Sequence, residues 1–150
     1  MKILVTGNNG YVGTVLTDVL LSNGYSVTGL DVNYFASCNL EPVAQHFEQL
    51  VKDVREIDTS DLAGFDAVVH LAGLSNDPLG EFEPHITEQI NYWGTLGLAQ
   101  FARDAGVKRF VYASSQSMYG VSDIDSELDE DDSKKQPVTT YARTKWQAEQ

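Results

Sequence analysis

A disulfide needs two cysteines, and this chain has one, Cys38, so none can close within it and a reducing compartment suits it. Basic residues are also scarce: 10 Lys and Arg stand against 22 Asp and Glu, a net charge of −12 with no basic stripe. That balance argues against nucleic acid and anionic membrane surfaces as partners. The three histidines, His46, His70 and His85, are scattered and form no metal-ligand spacing, so no metal is expected. No apolar run approaches the roughly 20 residues of a membrane helix, and the opening MKILVTGNNG is too briefly apolar for a signal peptide. These absences together lead us to expect a cytoplasmic protein. Repeats and low-complexity linkers are missing too.

What remains is an ordinary globular composition. At 150 residues and 42% hydrophobic content the chain suits one domain, large enough to bury roughly 68–70% of its unfolded surface. Seven acidic residues crowd between Asp123 and Asp132 (SDIDSELDEDD), which reads as a solvated loop.

Apolar runs and helical periodicities alternate along the chain. Lys2–Thr6 (KILVT) reads as a strand buried on both faces. Tyr11 to Ser22 places Val12, Val15, Leu16, Val19 and Leu20 at helical spacing, and Asn23-Gly24 stops that helix. Tyr25–Leu30 and Phe47–Val51 read as strands, with an irregular stretch from Asp31 to Ala44 between them. A helical turn near Ser60–Leu62 precedes a fourth strand, Ala67–Leu71. Pro84 to Ala105 is the longest predicted helix, with Ile86, Ile90, Trp93, Leu96, Leu98, Phe101 and Ala102 mostly on one side. Gly94 and Gly97 inside it cost about 1 kcal/mol each relative to Ala, which suggests that something approaches the backbone there. Val107–Ala113 is a fifth strand, and a final helix starts at about Thr139. Alternation of this kind means right-handed βαβ units, so the expected fold is α/β, a doubly wound parallel sheet of Rossmann-like type.

Between the first strand and helix sits TGNNGYVG. Gly7 lets the chain turn tightly, Gly10 lets the backbone approach a pyrophosphate, and Gly13 lets the helix pack close on the sheet. Amides of the helix N-terminus would face the phosphates. Asp31 ends the second strand 18 residues after Gly13. A carboxylate there suits the hydroxyls of an adenosine ribose and repels a 2′-phosphate, so NAD is the expected cofactor rather than NADP. The last helix carries Tyr141 and Lys145, four residues apart and therefore on one face. Spacing alone leaves open whether they form a catalytic pair or the polar side of an ordinary helix.

The T-G-x-x-G-x-x-G turn, HLAG at His70–Gly73, YASSQSMYG after the fifth strand, and Tyr141-x-x-x-Lys145 occur in an order that resembles the extended short-chain dehydrogenase/reductases. Within that superfamily the chain is similar to the NAD-dependent nucleotide-sugar epimerase/dehydratase family. The resemblance implies that Asn9, Tyr11 and Val12 join the glycines at the phosphates. It implies further that Asp53 and Val54 read the adenine, that Leu71, Ala72 and Gly73 pass beside the nicotinamide, and that Asn91 lies near the cofactor. A second asparagine common in the family is Gly97 here. The catalytic residues implied are Ser115, Tyr141 and Lys145, with Tyr141 and Lys145 also touching cofactor. Lys145, beside a phenol of ordinary pKa about 10, would make Tyr141 a usable base.

The family's 4,6-dehydratases place Asp-Glu after the catalytic hydroxyl. Here Gln116-Ser117 follows, and neither is a general acid at neutral pH, so dehydration is disfavoured. The resemblance then implies an NAD-dependent oxidoreductase/epimerase acting on a nucleotide-linked sugar by transient hydride transfer. The alternatives are a sugar-nucleotide dehydrogenase/reductase rather than an epimerase, and an NAD-binding module or inactive fragment without turnover of its own. By the same resemblance, residues 1–150 would be the NAD-binding part of a longer protein that continues into later strands and a substrate domain. That protein would take a nucleotide-sugar substrate and form a homodimer.

Overall fold

The computed structural model describes residues 1–38, 47–121 and 127–150. Parts of the irregular stretch (39–46) and of the acidic run (122–126) lie outside the described residues. In chain order the regular elements are β1 (Lys2–Thr6), α1 (Tyr11–Ser22), β2 (Ser26–Asp31), β3 (Glu48–Val51), β4 (Ala67–His70), α2 (Asp77–Phe82), α3 (Pro84–Glu88), α4 (Thr95–Asp104), β5 (Arg109–Tyr112) and α5 (Thr140–Glu149). Single 3₁₀ turns at Ala36–Cys38, Val54–Glu56, Thr59–Leu62 and Gln116–Tyr119 punctuate the connections.

The strands form one all-parallel sheet in the order β3-β2-β1-β4-β5. The expected doubly wound α/β architecture is therefore correct for the described residues. β1 lies between β2 and β4, so the connections leaving its C-terminal end and that of β4 diverge and open a crevice at the switch point. The pleat sends Leu4, Leu30 and Val68 to one face, where they meet Val54, Ile57, Leu62, Phe65, Leu98 and Ala102. Ile3, Val5, Val27 and Ala67 fill the other face with Leu20 and Leu21 of α1. Each such side chain removed from water stabilises the fold by about 1.5–3 kcal/mol.

Element bounds follow pairing more closely than composition. β5 was expected over seven residues and spans four, because β4 offers only Ala67 to His70 to pair with Arg109 to Tyr112. It is an edge strand among the described residues. α2 was not anticipated, although Asn76 caps it through Leu79 N and Pro78 lies in its first turn. The long helix is not uniform: a π-helical turn, Gln89–Gly94, separates α3 from α4.

The buried side of that helix also departs from expectation. Trp93 is 62% exposed and Ile86 is exposed, whereas Thr87, Asn91, Thr95, Leu98 and Ala102 are buried. A polar row faces inward because it meets hydrogen-bonding partners rather than a greasy surface. Gly94 fits its expected role, since a Cβ there would stand 3.2 Å from Val54 Cγ1. Gly97 does not: its nearest neighbour would be Phe101 at an ordinary 3.9 Å. On α1 the valines are likewise turned outward, Val12, Val15 and Val19 being exposed while Gly13 and Thr17 are buried.

Candidate functional site

The glycine turn is built by contact. Gly7 has φ +72°, and its N–H donates to Leu30 O at 2.8 Å. A Cβ on Gly7 would stand 2.6 Å from Ala72 N, so residues 71–72 cross where the side chain is missing. A Cβ on Gly13 would lie 2.1 Å from Gly7 O, which lets α1 begin directly against the turn. Gly10 is the N-cap and supplies no side-chain acceptor, so first-turn amides near Tyr11, Val12 and Gly13 face the crevice without a cap. That arrangement suits an anion.

Sequence reasoning missed what braces this turn. Asn8 is 1% exposed and pairs with Gln49 of β3 in both directions, Nδ2 to Oε1 at 2.7 Å and Nε2 to Oδ1 at 3.2 Å. Asp31 is fixed from two sides: the Asn9 N–H donates to Oδ2 at 3.2 Å and the Asn33 N–H to Oδ1 at 2.8 Å. Asn33 reaches this position with φ +61°, a conformation that asparagine tolerates better than most side chains. The Asn9 amide also donates to Asn33 Oδ1. Asp53 caps the Val54–Glu56 turn through Arg55 N, and the Arg55 guanidinium binds it at 2.7 and 3.0 Å. This guanidinium lowers the Asp53 pKa. Its carboxylate is thus committed to Arg55, and Val54 is buried in the core beside Gly94.

Residues 71–74 are held to the long helix by Asn91. Asn91 Oδ1 accepts from Leu74 N at 2.8 Å, and Nδ2 donates to Leu74 O at 2.9 Å. Gly73 lies between this clamp and the last helix: its Cβ would stand 3.0 Å from Asn91 Oδ1 and 3.7 Å from Lys145 Nζ.

α5 is better anchored than ten residues at the end of a chain suggest. Thr139 caps it through Ala142 N at 3.1 Å, Glu81 of α2 accepts from Thr140 N at 2.6 Å, and Arg143 pairs with Glu88 at 3.1 Å. Thr140, Ala142, Thr144 and Lys145 are buried. The Lys145 ammonium donates to Ala113 O at 3.0 Å and stands 4.8 Å above the Tyr112 ring and 5.9 Å from the Tyr141 ring centre. Ser115 opens the Gln116–Tyr119 turn, its hydroxyl accepting from Ser117 N at 3.1 Å, and α5 packs on that turn. Ser114 is engaged elsewhere, donating to Glu149 Oε2 at 2.7 Å. The structure therefore gathers Gly73, Asn91, Tyr141 and Lys145 at one place, with the Ser115 turn against the same helix.

Burial lowers the Lys145 pKa to about 8. A lysine whose pKa is lower in the folded state than in the unfolded one holds fewer protons when folded between about 8 and 10.5. Stability then rises with pH across that window, and below it the folded state carries the full cost of a buried charge, ~3 kcal/mol. Lys145→Met is expected to be more stable than wild type at pH 7 by ~1–3 kcal/mol, and the difference should close as pH approaches 10.5. Urea denaturation of both proteins at several pH values measures it. A gap independent of pH would refute the assignment of the cost to this ammonium.

Comparison with known proteins gives these positions a context. The NAD dependent epimerase/dehydratase family profile matches residues 3–150, and the chain belongs to that family. It is 32% identical to mouse dTDP-D-glucose 4,6-dehydratase, covering 99% of this chain and 44% of that one. It is 34% identical to the UDP-glucose 4-epimerase of Corynebacterium glutamicum, over 97% of this chain and 44% of the relative. Among solved structures, Thermus thermophilus UDP-glucose 4-epimerase in complex with NAD superposes with a TM-score of 0.86 at 27% identity, over 99% of this chain and 49% of that one. MoeE5 in complex with UDP-glucose and NAD gives 0.84 at 29%, over 99% and 47%. The chain thus spans just under half the length of these relatives. NAD is the family's cofactor, and the residues present fit a dinucleotide: uncapped first-turn amides, a carboxylate beside the turn, and a buried ammonium next to Gly73.

Proposed function

We propose that this member of the NAD-dependent epimerase/dehydratase family holds NAD across the switch-point crevice and serves an epimerase or dehydrogenase acting on a nucleotide-linked sugar. The observation that carries the reading is Lys145, buried on the helix of Tyr141 and set against Gly73 and Asn91. Bound NAD supplies a hydride acceptor and donor. The chain's own residues do the rest. Gly7, Gly10 and Gly13 let the diphosphate approach the amides near Tyr11 and Val12, while Asn9 holds the turn against Asp31. Asp31 accepts from the adenosine ribose, and Asp53 and Val54 border the adenine. Residues 71–73 and Asn91 form the wall on the nicotinamide side.

Only one ammonium hydrogen of Lys145 has a protein acceptor among the described residues. The others are available to ribose hydroxyls, and the positive charge stabilises a phenolate when the Tyr141 proton leaves. Tyr141 takes the proton of the reacting sugar hydroxyl, and Ser115 hydrogen-bonds the same oxygen while charge develops on it. Gln116 and Ser117 offer no acid for a leaving hydroxide, which favours epimerisation or oxidation over dehydration.

The cofactor half is testable on the chain itself. Calorimetry is expected to find NAD bound at least about tenfold more tightly than NADP, since a 2′-phosphate would meet the fixed Asp31 carboxylate. Asp31→Ala should erase most of that preference. Equal affinity of the wild type for both dinucleotides would remove Asp31 from the site.

A further inference from the structure

β4 reads Ala-Val-Val-His, and its last residue is an imidazole with no exposure at all. A buried ring nitrogen needs a partner, and both have one. Nδ1 meets Thr6 Oγ1 at 2.6 Å, and Nε2 meets Thr95 Oγ1 at 2.9 Å. The neighbours fix the direction of these bonds. Thr95 Oγ1 donates its only hydrogen to Asn91 O at 2.7 Å, so toward His70 it can only accept, and Nε2 carries the proton. Nδ1 then accepts from the Thr6 hydroxyl, whose oxygen in turn receives the Ala72 N–H at 3.3 Å. The result is one directed chain from Ala72 N–H through Thr6, His70 and Thr95 to Asn91 O.

The far end of this chain is the π-helical turn. In an unbroken α-helix the Thr95 N–H would go to Asn91 O; here it goes to Tyr92 O, and the Thr95 hydroxyl takes up the released carbonyl. The Asn91 side chain is the clamp on Leu74. His70 is therefore joined to both ends of residues 71–74: to Ala72 through Thr6, and to Leu74 through Thr95 and Asn91.

We propose that His70, neutral and protonated at Nε2, is a positioning residue that sets residues 71–74 and Asn91 against Lys145, and with them the wall for the nicotinamide end of NAD. The proposal rests on the cofactor site described above. A histidine that merely fills the core would affect both ends of the crevice alike; this one acts on one end.

Thr95→Val keeps the shape and removes the hydroxyl, while Thr95→Ser keeps the hydroxyl. In Thr95→Val the amides of Ala72 and Leu74 are expected to exchange hydrogen about tenfold faster or more, with Val5 and Val68 of the sheet unchanged, and Thr95→Ser to restore wild-type rates. NAD affinity should fall by about the same factor, whereas ADP-ribose, which lacks the nicotinamide, should change less than about twofold. Nitrogen-15 NMR of the wild type, which needs no variant, should report the Nε2–H tautomer. An Nδ1–H tautomer, unchanged exchange at Leu74, or equal weakening of both ligands would overturn the proposal. Exchange and tautomer need no ligand, so they decide the brace by themselves. Failure of the wild type to bind NAD would instead remove the site reading on which the proposal stands.

Discussion

Tyr141→Phe, assayed with a nucleotide-sugar substrate in a chain of the relatives' full length, is expected to lower turnover by about 10²–10⁴-fold with little change in NAD affinity. Only the phenol oxygen is lost; Tyr141 is half-buried, and the ring remains to pack near Lys145. Lys145→Ala should behave differently, weakening NAD binding as well as turnover, because the proposed mechanism gives the same ammonium both the ribose and the phenol oxygen. The contrast between the two variants carries more than either alone. A general loss of structure would lower both quantities in both proteins. Lys145→Met, which fills the volume that Lys145→Ala leaves empty and is expected to be more stable than wild type, should show the same double loss as Lys145→Ala and so separates the two causes. Turnover of Tyr141→Phe within about tenfold of wild type would sink the proton-transfer role.

The sequence made some of this site legible and hid other parts, and the division has a physical basis. Glycines announce themselves because a missing side chain has a geometric meaning: Gly7 and Gly13 were read from spacing, and each turns out to face backbone closer than 3 Å to where its Cβ would be. Helix α1 was read to its end residues because Asn23-Gly24 stops it. Tyr141 and Lys145 could be placed on one face but not judged, since the judgement depends on burial, and Lys145 is 5% exposed only because Gly73, Tyr112 and Ala113 close over it.

What stayed hidden is polar and long-range. Apolar periodicity put Trp93 on the inner face of the long helix, while Thr87, Asn91 and Thr95 occupy it. The partners of Asn91 and Thr95 lie 17 and 25 residues away, in a loop and a strand that no local window contains. The π turn is invisible for the same reason, being stabilised by a hydroxyl and an imidazole rather than by any helix propensity. His70 carried a signal that could have been used: a histidine closing an otherwise apolar strand is either satisfied or functional, and here its ring is held by hydroxyls of β1 and α4.

The glycine turn gives the second large effect. Gly13→Ala is expected to destabilise the chain by more than ~3 kcal/mol, or to force a local rearrangement that abolishes NAD binding. The added carbon would lie 2.1 Å from Gly7 O and 2.7 Å from Asn8 Cα. Neither can retreat, because Gly7 O accepts from Gly10 N, Gly7 N–H is bonded to Leu30 O, and residues 71–72 press on Gly7 from the other side. Two other glycines separate the causes. Gly24 has φ +78° with nothing within 4 Å, so Gly24→Ala should cost only the backbone strain of ~1–2 kcal/mol. A Cβ on Gly29 would stand 2.5 Å from the Asn8 side chain, so Gly29→Ala is opposed by a removable group. Combining Gly29→Ala with Asn8→Ala should therefore cost less than the sum of the two single variants, in a double-mutant cycle read by urea denaturation. No second side-chain truncation can do the same for Gly13→Ala, whose obstacle is backbone. Full additivity at the Gly29–Asn8 pair, or a Gly13→Ala protein as stable as Gly24→Ala, would show that the turn yields where its packing says it cannot.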